Sequence, residues 1–154
     1  MKQKQFAAIS ISELVKKAGI SRMGFYRNYN SKEAVLIDYF DQYVTPFYQI
    51  LTQLPEKNPV VISHAYFDYV NAHSELFEVL ISSGAEDILS KRFNHFVSQF
   101  YVNNVRTISF EGDYARYWNS FIAAGLFRMT IDWIKDGKQA PVDLMAKIAL
   151  KVAG

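Results

Sequence analysis

Cysteine is absent from the 154 residues, which excludes disulfides, thiolate metal sites and cysteine nucleophiles and fits a cytoplasmic setting. Met1–Gln5 leads into no apolar stretch, so no secretory signal is expected. No uncharged run is both apolar and about 18 residues long, so no membrane span is expected. The seven glycines are scattered and build no phosphate-cradling loop, and G-x-S-x-G does not occur, which leaves enzyme chemistry little to rest on. His64, His73 and His95 show no helical metal spacing, so neither a metal nor another cofactor is expected. Internal repeats are missing too, and no segment alternates apolar and polar residues as a half-buried strand would. The chain therefore reads as all-α.

What is present begins with the stretch from Ser10 to Lys32. Ser10 followed three residues later by Glu13 is a capping box, and Ile11, Leu14, Val15 and Ala18 follow at helical spacing. Gly19 can take the positive φ that ends a helix. Ser21 can then cap a second helix, from Arg22 to about Asn28. Helix, four-residue turn and helix is the plan of a helix-turn-helix DNA reader. In the second helix Ile20, Phe25 and Tyr29 are expected to face inward. Arg22, Met23, Tyr26 and Arg27 are left outside, and Gly24 gives a duplex room to approach. The arginines, the tyrosine hydroxyl, Asn28 and Lys32 would supply donors for phosphates or base edges.

The run Ala18-Gly19-Ile20-Ser21-Arg22-Met23-Gly24-Phe25-Tyr26-Arg27-Asn28-Tyr29, continued by Ser31-Lys32-Glu33, resembles the signature of the tetracycline-repressor (TetR) family. The resemblance implies an all-α fold, with an N-terminal helix-turn-helix over residues 1–35 and a helical effector-binding and dimerisation body over 36–154. It implies phosphate contacts for Tyr26 and Lys32, and base or phosphate contacts for Ser21, Arg22, Met23 and Gly24. Asn28 stands where the family often has a histidine phosphate donor. A full helix normally precedes the capping box in this family. Only Met1–Phe6 stand in its place, so the first helix is expected to be incomplete.

Charge is distributed as a duplex binder requires. Residues 1–35 hold seven Lys/Arg against two Glu, a net +5, which leaves −3 for the remainder of a chain whose total is +2. Half the residues are apolar and 21% are charged, a globular balance. From Ser31 a long helix is expected to run to about Leu54 on an apolar stripe of Val35, Leu36, Tyr39, Phe40, Tyr43 and Phe47, with Pro46 kinking or restarting it. Asn58-Pro59 opens the next helix. Further helices are expected over 74–82, from Glu86 to about Ile108, over 114–135 and over 141–152.

Twenty of the 24 aromatic residues lie after residue 35. Tyr66, Tyr69, Phe93, Phe96 and Phe100, with Tyr117, Trp118 and Phe121, are candidates to line a cavity for a small apolar or aromatic effector. The helix at 114–135 is apolar on more than one side, which suits a shared surface. The family dimerises through its last two main helices, which implicates Ala124, Phe127, Arg128, Ile131, Met145 and Ile148 in a homodimer. The expected function is a dimeric DNA-binding regulator, a repressor on a near-palindromic duplex operator, released by its effector. The alternative is a helical interaction or coactivator module with weak or lost DNA binding.

Overall fold

The computed structural model of the chain describes residues 4–104 and 112–153. Those residues form eight α-helices and no strand. A short 3₁₀ turn, Phe6–Ala8, comes first, where the remnant of a first helix was expected. Helix α1 (Ile11–Ala18) starts on the Ser10–Glu13 capping box, with both reciprocal hydrogen bonds present. It stops at Gly19, whose φ of 69° lets its own N–H and that of Ile20 reach back to the Lys16 and Val15 carbonyls. Ser21 caps α2 (Arg22–Asn28) by accepting from the Gly24 N–H, and Ser31 caps α3 (Lys32–Gln53) by accepting from that of Ala34.

Helix α3 does not restart at Pro46; residues 32–53 are one helix. Phe40 and Leu51 are buried on either side of the proline, so tertiary packing keeps the helix continuous despite the lost backbone bond. Tyr39, expected on the buried stripe, is 58% exposed. After it come α4 (Pro59–Ala72), capped by Asn58, and α5 (Glu75–Ser83), which ends at the left-handed Gly84. Then follow α6 (Glu86–Asn104), α7 (Gly112–Lys135) and α8 (Val142–Ala153). The expected extension of α6 to Ile108 lies outside the described residues.

Helix α8 packs along α4, α6 along α7, and α3 bridges α4 and α6. The core between them includes Phe40, Phe67, Phe77, Leu80, Leu89 and Trp133. Rings meet there edge to face, as Phe67 and Trp133 do at 5.6 Å and 85°. Val15 and Phe25 make a smaller core beneath the reader. Among the described residues no helix is long and apolar enough to cross a membrane.

Leu80 is fully enclosed whereas its neighbour Val79 is 55% exposed. Leu80→Ala should therefore lower unfolding free energy by about 2–5 kcal/mol. Val79→Ala should stay within about 0.5 kcal/mol. Urea midpoints for the two variants check the packing.

Candidate nucleic-acid interface and cavity

Helix α2 is fixed from behind. Phe25 is 2% exposed and meets Tyr26 and Tyr29 at ring distances of 5.3 and 5.8 Å. The Tyr29 hydroxyl donates to Asp38 Oδ2 at 2.7 Å, which ties the end of α2 to α3 and holds the phenol above its ordinary pKa. The outer face carries Met23, 71% exposed, and Tyr26, 50% exposed, beside the exposed Arg22 and Arg27. Among the described residues Arg22 reaches Ser12 Oγ, at 3.4 Å. Two guanidinium groups, a phenol and an apolar tip, raised on a pinned helix, can donate to phosphates and read base edges. Gly24 sits between them, where an added Cβ would lie 3.2 Å from Ser21 Oγ, the cap of the helix.

Three expected donors or contacts are placed otherwise. Lys32 Nζ donates to the carbonyls of Phe6, Ala7 and Ile9 at 2.8, 3.0 and 2.8 Å, and lies 4.8 Å from the centre of the Phe6 ring. An ammonium has three N–H donors, and all three are taken by the N-terminal segment. Asn28 Nδ2 turns back to the Gly24 carbonyl at 3.1 Å. Ile20, expected inward, is 48% exposed, since no described element closes over that side of the turn.

Lys32 thus straps the 3₁₀ turn to the start of α3. The strap continues: Lys4 pairs with Glu13, and Gln5 Nε2 donates to the Ser82 carbonyl at 3.4 Å in the last turn of α5. Lys4 and the Ser10 N–H and hydroxyl hold the Glu13 carboxyl down at about 2. Sequence reading missed this arrangement, because its partners lie 9 to 77 residues apart.

Below the reader, residues of α3, α4, α5, α6, α7 and α8 line a cavity of about 200 Å³. Tyr66, Tyr69, Phe93, Phe96 and Phe100 lie on its wall, with Phe40, Tyr43 and Phe47 from α3. Tyr117, Trp118 and Phe121 do not; Tyr117 and Phe121 are 65% and 67% exposed. The face of α7 that reaches the cavity is Ile122, Gly125, Leu126 and Met129. Three of the four tyrosine hydroxyls on the wall are committed internally. Tyr66 shares a 2.7 Å hydrogen bond with the buried Thr130, Tyr69 donates to the Tyr43 carbonyl at 2.8 Å, and Tyr43 to the His73 carbonyl at 2.5 Å. Burial pushes the Tyr43 and Tyr66 phenols up, so both stay protonated. Asp41 on α3 takes both an Nε and an Nη2 bond from Arg92 on α6, and that guanidinium lies 5.0 Å from the Phe96 ring.

The residues expected at a dimer surface divide. Phe127, Ile131 and Met145 are buried in the chain's own core, since that side of α7 and α8 faces α4, α5 and α6. Ala124, Arg128 and Ile148 are exposed. The outward apolar stripe is instead Tyr114, Tyr117 and Phe121 on α7, with Leu144 and Ile148 on α8, while the exposed Val152 stands at the cavity wall. Among the described residues no group of His, Asp or Glu side chains is arranged to hold a metal.

A pinned helix-turn-helix on a helical body with an apolar cavity defines a class, the helix-turn-helix protein with an all-helical second region. Residues 1–39 match the family model for bacterial regulatory proteins of the tetR family, and residues 57–153 match the transcriptional regulator C-terminal region of TetR type. The second match alone spans more than half the chain, so the chain belongs to the TetR family of non-enzymatic transcriptional regulators. No curated protein matches it.

If Arg27 touches a phosphate, Arg27→Ala should reduce the slope of log affinity against log salt by about 0.9. Lys32→Ala should leave that slope as it is, while speeding amide exchange through the 3₁₀ turn. The depressed Glu13 pKa adds a pH test. Its carboxylate contacts are complete above the ordinary value of 4.5 and are lost as pH falls through about 2. An NMR titration of Glu13 should therefore show a midpoint near 2, and Lys4→Ala should raise it.

Proposed function

We propose that the chain is a homodimeric repressor that binds a near-palindromic duplex operator and is released by a small apolar effector. Residues 1–35 of each copy read one half-site, and residues 36–154 bind the effector and the partner, with α3 running through both. The reading is carried by one observation: α2 is braced by Phe25 and the Tyr29–Asp38 bond while Arg22, Met23, Tyr26 and Arg27 face outward. Ser21 and Gly24 would lie closest to the duplex backbone, and the basic reader on an acidic body would steer association.

Release follows from the shared helix. Phe40, Tyr43 and Phe47 of α3 are cavity wall, and Asp41 is clamped to Arg92 of α6. An effector that separates α3 from α6 would tilt the reader, shifting a two-state equilibrium away from the geometry that fits DNA. The outward stripes of α7 and α8 support a two-fold dimer, which would set the reader helices about 34–36 Å apart. A regulator of this kind works in the cytoplasm, where the operator is.

Selection from a random duplex library with the purified chain tests the reading. Recovery of an inverted repeat with half-site centres about 10–10.5 base pairs apart, or a multiple of that spacing, is the expected result. Recovery of no preferred duplex would overturn it in favour of an interaction module without DNA reading.

A further inference from the structure

We infer that the cavity selects an uncharged hydrocarbon the size of a single substituted ring, admitted between α7 and α8 at Gly125 and Val152; this rests on the reading of the cavity as the effector site. Size is the first constraint. An apolar cavity of about 150 Å³ holds benzene. The volume here, about 200 Å³, adds room for a short alkyl group and little more.

Polarity is the second constraint. Among the described residues no charged side chain stands on the wall, and Ser63 and four tyrosines are its polar ones. The phenols of Tyr43, Tyr66 and Tyr69 are already bonded to His73, Thr130 and Tyr43. An ionised ligand would lose its hydration and find no counter-charge, and a polar one would find, apart from the bonded phenols, only the Ser63 and Tyr48 hydroxyls. An aromatic ring meets no such penalty. It extends the edge-to-face contacts that Phe40 makes with Phe96 at 5.8 Å and Tyr66 makes with Phe93 at 6.2 Å.

The way in is marked by exposure. Of the residues on the wall, Gly125 and Val152 are the exposed ones, and they belong to α7 and α8. A Cβ built on Gly125 meets nothing within 4 Å. Glycine is unfavourable in a helix interior, and here its missing side chain leaves the opening clear.

Thermal melts of the full chain without DNA test the inference, with ethylbenzene, benzoate and benzylammonium as probes. A ligand that binds only the folded state raises Tm with concentration. Ethylbenzene should raise it, and the two ions, which carry the same ring, should not. Gly125→Leu places a side chain in the opening and should weaken the ethylbenzene response at least tenfold while the variant melts no lower than wild type. Should Gly125→Leu fail to fold, Val152→Trp blocks the same opening from α8, with the same expected loss. No response of wild type to ethylbenzene, or an equal response to either ion, overturns the ligand class. A full ethylbenzene response in the folded blocking variant overturns the entrance. Because no DNA is present, ethylbenzene binding by a chain that selects no operator would sink the regulator reading alone. Operator selection without ethylbenzene binding would sink this inference alone.

Discussion

Asp41 and Arg92 face each other across α3 and α6, two donors of one guanidinium against both oxygens of one carboxylate. A bidentate pair fixes angle as well as distance, which a hydrophobic contact between two smooth helices does not. Both side chains are about one-third exposed, at 34% and 32%, so the pair holds register more than it adds stability. Everything above it in the molecule inherits that register. One turn toward the reader, Asp38 receives the Tyr29 hydroxyl; at the first residue of the same helix, Lys32 gathers three carbonyls of the N-terminal segment. Toward the other end, Tyr43 and Phe47 form cavity wall. A single helix thus carries the reader at one end and the wall at the other, pinned between them.

The reader owes its rigidity to short-range chemistry. Ser10, Ser21 and Ser31 each satisfy an N–H at the start of a helix, and Gly19 closes α1 with a left-handed residue. Such caps are worth about 1 kcal/mol apiece. They matter here because α1 and α2 have only 8 and 7 residues and bury little besides Val15 and Phe25. Short isolated helices do not persist in water. The strap through Lys32 supplies the remaining support, tying the N-terminal segment to the start of α3.

Features written within a few residues were legible before the fold was seen. The serine caps, the Asn58-Pro59 start of α4 and the helical spacing of Val15 and Phe25 are local, and the bounds of α2 and α4 follow from them. Pro46 shows where a local rule yields, since Phe40 and Leu51 bury the helix on both sides of it. Helix α7 shows where periodicity runs out: with apolar residues around its whole circumference, spacing separates two faces without saying which one turns inward. Phe127 and Ile131 went inward, whereas Tyr117 and Phe121 stayed outside. The cavity aromatics of α4 and α6 were legible as a group, because each of those helices has one apolar side. Asp41 and Arg92 stand 51 residues apart, and Lys32 stands 23 to 26 from its carbonyls. No pattern along the chain pairs residues so distant.

A chain without cysteine accepts a single spin label cleanly. Lys17→Cys, at the exposed end of α1 beside the reader, would report the separation of the two reader heads by pulsed electron resonance. On operator DNA the account predicts one narrow distance, consistent with reader helices about 34–36 Å apart, which shifts once the cavity is filled. A distance that stays the same with the cavity empty and filled, or no inter-copy distance at all, would contradict the link between α3, the cavity and the reader.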